Sequence, residues 1–327
     1  MATGGDLESK PTVSVVIPTY GRAEHLPGAI ETVTNQTYEN VELLVVDDGS
    51  PTPVAETLSA ETTSEADMEI IRHDKNKGAN VARNTGIRAA TGKYISFLDD
   101  DDRWHEDKLR RQVAAFAAAS PSVGLTYTGK RTEGPDGTTV TTPTAEGWVL
   151  KDLLTGESFG QFSSVMVQTD VIDAAGLPDE RFPAWQDREW FFRLAQHCQF
   201  KPVTETLTYK QVGLPDSITK QFEQKRDVAY PLFVEKHYSL AREHGTYYAR
   251  TFLASLRTIL ARSAVRANRY REARKYFLRA FRANPFYRPL HPHLLASLGG
   301  RRSYESASQV QKKLQSLQSV VSRVNPR

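Results

Sequence analysis

The chain has 327 residues, of which 25% are charged and 39% hydrophobic, an ordinary globular composition with room for a large domain and a smaller one. No run approaches 18 consecutive apolar residues, which excludes a membrane-spanning helix, and the single cysteine, Cys198, excludes an intrachain disulfide. The net charge of +3 conceals a segment, residues 242–288, with 12 Lys or Arg against two acids; that window is +10 and leaves −7 for the rest, which suggests an anionic partner surface.

The first ten residues lack a basic region followed by an apolar core, so they read as a disordered tail and the protein as cytoplasmic. Thr12–Ile17 is a β-branched run closed by Pro18-Thr19-Tyr20, the first expected strand. Helical periodicity follows from about Glu24 to Asn35. Val41–Val46 is the second strand and stops at Asp47-Asp48-Gly49-Ser50. Met68–His73 is a weaker third, followed by a helix around Val81–Ala90 that bears Arg83 and Asn84. Alternating strands and helices of this kind predict a mostly parallel sheet between helices, with the strand carboxyl ends on one rim.

The fourth apolar run, Tyr94–Leu98, ends at four consecutive aspartates, Asp99–Asp102. Unpaired carboxylates there could not be buried without a large desolvation cost. The cluster reads either as a solvated turn with Asp102 capping the next helix, or as a divalent-cation site at a strand's carboxyl end. No GxGxxG and no GxxxxGK[ST] occurs, so phosphates would have to be held by a metal and by cations such as Lys77 and Arg83.

Four segments, VSVVIPTYGR, VELLVVDDGS, NKGANVARNTGI and GKYISFLDDDDRW, resemble in order and spacing the motifs of the family 2 glycosyltransferases. The resemblance covers residues 13–104. It implies the GT-A fold and inverting transfer of a sugar from a nucleoside-diphosphate sugar. Pro18, Thr19 and Tyr20 would border the base and ribose, Asp48 would accept a hydrogen bond from the base, and Arg83 would approach the diphosphate or base. Asp99 and Asp101 would serve a Mg²⁺ or Mn²⁺ ion and Asp100 would face the ribose. Asp102 would support the site or cap a helix. Each has a plainer reading: Pro18 ends a strand, Asp48 is a turn residue before Gly49, and Arg83 is a solvated helix charge. A hard cation on such oxygens would stabilise the charge that builds on the departing diphosphate.

Downstream, Val123–Lys130 reads as a fifth strand, Pro135-Asp136-Gly137 as a turn, and Thr138–Thr142 as the returning strand of a hairpin. Trp148–Leu154 reads as helix and Ser163–Gln168 as a short strand before the helix of TDVIDAAG. A further helix begins near Asp187. An Asp there is by default a first-turn acid. The resemblance implies instead that Asp187 is the general base, with Glu189 a weaker candidate, although the family's usual Glu-Asp pair is here Gln186-Asp187. Trp185 and Trp190 could stack on sugars, or Trp190 could be a core aromatic. Pro202–Gln211 is the last strand expected.

From about Gln221 the pattern is helical, and RYREARKYFLRAFRANP resembles one helix of a tetratricopeptide repeat; a single unit reads as a helical hairpin. Tyr276, Phe277, Phe281, Phe286 and Tyr287 interleave with Arg, which suits either a solvated charged face or peripheral contact with an anionic membrane on its inner face. No nucleic-acid-binding motif accompanies them. The expected fold class is thus α/β, a GT-A nucleotide-diphospho-sugar transferase fold with a C-terminal helical extension. Its divisions would be a tail (1–10), a catalytic domain (11–220, with a nucleotide half 11–104 and an acceptor half 105–220) and basic helices (221–327). The expected partners are a nucleotide-sugar donor and a glycan or lipid-linked acceptor. A sugar-phosphate nucleotidyltransferase and a non-catalytic scaffold are the competing readings; the first lacks its glycine-rich loop.

Overall fold

The computed structural model describes residues 10–59, 68–134, 137–211 and 218–298. The expected tails (residues 1–9 of the first, and everything from Gly299) and Pro135-Asp136 of the expected turn lie outside these residues. Two compact units are present, one of residues through Leu153 together with Ser158–Leu214, the other of Leu154–Glu157 together with Pro215 onward.

In the first unit β1 (Val13–Thr19) is wholly buried between β2 (Val41–Asp47) and β4 (Tyr94–Phe97), with β3 (Met68–Arg72) beyond β2; all three pairings are parallel. The crossovers are α1 (Leu26–Thr34), a helical turn α2 (Val54–Thr57) and α3 (Ala79–Ala89). α1 buries Leu26, Ala29, Ile30 and Val33, one stripe at helical spacing, against Val13, Val15 and Ile17. α3 packs so closely on β1 that a Cβ on Gly86 would lie 2.3 Å from Val16 Cγ1.

Beyond β4 the sheet becomes mixed. Its order is β3-β2-β1-β4-β8-β6-β9-β5, formed with β5 (Asp102–Trp104), β6 (Val123–Gly134), β8 (Val165–Gln168) and β9 (Gln199–Gln211); β7 (Gly137–Thr141) pairs with β6 as the expected hairpin. β8 runs antiparallel to β4 and β6, β9 parallel to β6, and β5 antiparallel to β9. The helices here are α4 (Lys108–Ala117), α5 (Leu150–Leu154), α6 (Thr169–Ala175) and α7 (Gln186–Leu194).

β5 corrects one expectation. Asp102 does not cap a helix: it is a strand residue paired with Lys210, and α4 begins six residues later, with Asp107 at its N-cap position. Alternation along β5 buries Asp102 and Trp104 and turns Arg103 outward.

The second unit is helical: α8 (Ile218–Gln224) continues through a π-helical turn (Lys225–Ala229) into α9 (Tyr230–Glu243), followed by α10 (Thr246–Arg266), α11 (Tyr270–Ala283) and α12 (His291–Leu298). α10 and α11 form the expected hairpin, and α11 buries Ala273, Tyr276, Phe277 and Ala280 along one stripe. Among the described residues no helix is long and apolar enough to cross a membrane.

Candidate active site

The parallel strands deliver their carboxyl ends to one rim, where open α/β sheets bind ligands. Thr19, Asp47-Asp48 and the aspartate quartet all arrive there from β1, β2 and β4. What each carboxylate does follows from its partners.

Asp47 and Asp48 both turn inward. Asp47 accepts the N–H groups of Ser50 (2.8 Å) and Val54 (3.2 Å) and pairs with Arg72. Burial alone would raise its pKa, but these bonds, with the Ser50 hydroxyl, hold it below the ordinary 3.8. Asp48, 3% exposed, accepts from Lys77 N (2.9 Å) and Gly78 N (2.8 Å) and is hydrogen-bonded to His73 Nδ1 (2.7 Å), while His73 Nε2 is hydrogen-bonded to the Thr85 hydroxyl at 2.9 Å. Asp48 therefore shapes the loop after β3, and at most one lone pair remains for a nucleotide base. Lys77 pairs with Asp74.

The quartet fans in four directions. Asp99 accepts from Arg83 Nη2 at 2.7 Å, and its N–H donates to Ser163 Oγ. Arg83 is thus a buried partner of the cluster, with its guanidinium 4.1 Å above the Phe162 ring, and not a solvated helix charge. Asp100 accepts from Thr19 Oγ1 (2.7 Å) and Arg22 Nη1 (3.0 Å), and Arg22 also reaches Asp101 at 3.0 Å. Asp102 accepts from Gln161 Nε2 (2.7 Å) and Ser163 Oγ (2.6 Å), and its other oxygen lies 3.6 Å from Lys210 Nζ. Pro18 is buried in β1, and Tyr20 is 46% exposed beside it.

The electrostatics are those of carboxylates crowded out of water. Burial, reinforced by the charges of Asp99 and Asp101, pushes Asp102 up to about 7 against the pull of Lys210. Burial also raises Asp100 despite Thr19 and Arg22. Asp99 feels the same burial, but Arg83 and Lys210 hold it below its ordinary value. Lys210, which burial would lower, is raised by Asp102, Asp99, Asp101 and Asp187. Lys130, at the middle of β6, is lowered by burial and by Lys210.

One oxygen each from Asp99, Asp101 and Asp102 lies within 4.8 Å of the others. Asp102 Oδ1 is buried and accepts no hydrogen bond. Convergent carboxylate oxygens with one unsatisfied are a donor set for a hard divalent cation, so the residues fit Mg²⁺ or Mn²⁺. The trio differs from the expected Asp99 and Asp101 by the addition of Asp102.

Asp187 opens α7, partly exposed, with Oδ1 accepting the N–H of Arg188 at 2.7 Å. The residue before the helix, Trp185, has φ 62°, a left-handed conformation that is costly for a bulky side chain. Asp187 bears on both Lys130 and Lys210, which links it to the quartet. Glu189 is not available as a base: it is wholly buried and paired with Arg193 through both oxygens (2.9 and 3.0 Å), and Arg193 in turn holds the carbonyls of Ala175, Gly176 and Leu177. Trp190 is likewise wholly buried, stacked on Phe162 and edge-on to Phe97, and so cannot stack on a sugar.

Arg22, Lys130, Gln161, Ser163 and Lys210 were not legible as site residues. Arg22 lies inside the first motif, and its charge beside a predicted acidic rim was an available signal. The others join the rim only through β6, β9 and the turn before β8.

Residues 14–167 match the model of glycosyl transferase family 2. The amylovoran biosynthesis glycosyltransferase AmsB of Erwinia amylovora is 37% identical over 103 residues, 31% of this chain and 34% of that protein. The chain spans half or less of the length of four of the first five curated relatives it matches. Staphylococcus aureus TarS 1–349 in complex with UDP-GlcNAc superposes with a TM-score of 0.55 at 13% identity, covering 89% of this chain and 92% of that one. The mannosyltransferase PcManGT of Pyrobaculum calidifontis, in complex with GDP-Man and Mn²⁺, gives 0.52 at 18% identity over 89% and 87%. At these identities the two structures establish a shared fold.

Proposed function

We propose, from the match of residues 14–167 to the glycosyl transferase family 2 model, that the protein transfers a sugar from a nucleoside-diphosphate sugar to a hydroxyl of a glycan or lipid-linked glycan, with inversion. The observation that carries this reading is the trio of carboxylate oxygens at the rim, ringed by Arg22, Arg83 and Lys210. The relative involved in amylovoran biosynthesis, and the UDP-GlcNAc and GDP-Man complexes of the structural neighbours, support a nucleotide-sugar donor and a glycan product.

Asp99, Asp101 and Asp102 would hold the Mg²⁺ or Mn²⁺ ion, and PcManGT's Mn²⁺ supports that assignment. When bound, such an ion supplies positive charge to the diphosphate as the glycosidic bond breaks. The chain's own residues do the rest. Pro18, Thr19 and Tyr20 border the nucleotide, with Asp48 and Asp100 behind them. Thr19 holds Asp100 by a 2.7 Å hydrogen bond that does not depend on Arg22. Arg22, being half exposed, can turn from Asp101 to a phosphate, since a guanidinium pairs equally well with either. Asp187 takes the proton from the acceptor hydroxyl as that oxygen attacks the anomeric carbon opposite the diphosphate, which gives inversion in one displacement. The proposed divisions are a catalytic domain over residues 11–220 and a basic helical extension beyond it, in a protein working at the cytoplasmic side.

The test is transfer from a panel of UDP-, GDP- and dTDP-sugars with Mn²⁺, followed by chelation. Metal-dependent transfer with release of nucleoside diphosphate is expected. Full activity in chelator would remove the metal assignment, and release of pyrophosphate from a nucleoside triphosphate plus a sugar phosphate would make the protein a nucleotidyltransferase.

A further inference from the structure

On α11 the side opposite the buried stripe is mixed in an unusual way. Arg271, Lys275 and Arg282 are exposed at intervals of four and seven residues, with Leu278 (39% exposed) among them and Phe281 (42%) at the flank of that side. The turn after the helix adds Phe286, 86% exposed. Among the described residues none of these three cations is in an ion pair. The helix's one acid, Glu272, is engaged by Arg226 at 3.0 Å. Cations with no acid paired to them, combined with several large exposed apolar side chains, are the composition of an interfacial helix face.

We infer that the exposed face of α11 with Phe286 docks the protein on a bilayer containing anionic lipid. Cations at this spacing meet headgroup phosphates and carboxylates, while Leu278, Phe281 and Phe286 enter the boundary of the acyl chains. Each alternative occupant satisfies only half of the face. A two-fold contact with a second copy would set the same cations against one another. A nucleic acid would pair with the cations but offers nothing to an aliphatic side chain such as Leu278. The inference stands apart from the catalytic reading, since no residue of the rim takes part.

The full chain is sedimented with phosphatidylcholine vesicles, and with vesicles in which about 30% of the lipid is phosphatidylserine, at about 0.1 M salt. Binding to the anionic vesicles alone is expected, weakened at least tenfold at about 0.5 M salt. Triple charge reversal, Arg271→Glu with Lys275→Glu and Arg282→Glu, should lower binding at least tenfold, and Phe281→Ser with Phe286→Ser should lower it at unchanged charge. These side chains are exposed, so Tm should not move; were it to fall, Phe286→Ser alone serves. No binding to anionic vesicles, equal binding to neutral ones, full binding by both variants, or retention of RNA in place of vesicles would each overturn the inference.

Discussion

Two acids on α7, two residues apart, are placed for different work. Asp187 is partly exposed and its charge acts to raise the pKa of Lys130 and Lys210; Glu189 is buried and bonded to Arg193. Asp187→Asn should leave Tm nearly unchanged and lower the transfer rate by about 10²- to 10⁴-fold, the usual contribution of a positioned base, with donor affinity retained by calorimetry. Glu189→Gln removes the buried charge paired with the partly buried Arg193, leaving one amide oxygen to accept from it, and should cost about 1–3 kcal/mol of stability, read by denaturant unfolding, with transfer retained in the folded fraction. A third acid tests linkage. Asp47 titrates below its ordinary 3.8 in the fold, so its contribution is present above that value and is lost as pH falls through the depressed one. Asp47→Asn should therefore lower Tm at neutral pH, and the deficit should shrink as pH drops below about 4. The sequence marks Asp47, Asp48 and the quartet equally, as acids at strand ends. It carries no signal of which turn inward, because that depends on Arg72, His73 and Arg22 arriving from elsewhere in the chain.

At the scale of elements, β1, β2 and β4 were legible because strands covered on both faces are unbroken apolar runs, and the four expected strands pair in parallel. β5 was not. Three residues with the pattern Asp-Arg-Trp have no strand signature, and only pairing with β9 makes them one. That omission is why Asp102 read as a helix cap or support and not as a member of the carboxylate trio. β9 was also longer than expected, since its first residues, Gln199 to Lys201, include polar side chains that the sheet tolerates beside β6. The α3–β1 contact leaves no room for a side chain at Gly86. Gly86→Ala places a methyl 2.3 Å from Val16 Cγ1, and either the helix or the strand must move. The expected cost is about 1–3 kcal/mol, as for overpacking a core, visible as a lowered Tm. Because α3 also carries Arg83 to Asp99, donor affinity should fall with it. Val16→Ala in the same chain should recover part of both.

For the whole molecule, charge is divided between the two units. The parallel rim concentrates carboxylates and the few cations that balance them, while residues 242–288 hold a +10 excess in the helical unit. The family resemblance was readable in residues 13–104 because its motifs lie at successive strand ends, where one rim forces them together. The Lys130 and Lys210 positions were not readable, since they are 80 residues apart and meet only through β6–β9 pairing. On the proposed function, donor binding depends on a divalent ion held by the trio of carboxylates. Calorimetric titration of the panel of nucleotide-sugars into the protein, with Mn²⁺ and then with chelator, tests it directly. At least one donor should bind with Mn²⁺ and lose at least tenfold in affinity in chelator, and Asp102→Asn should reproduce that loss with the metal present. Donor binding that is indifferent to chelator and to Asp102→Asn would contradict it.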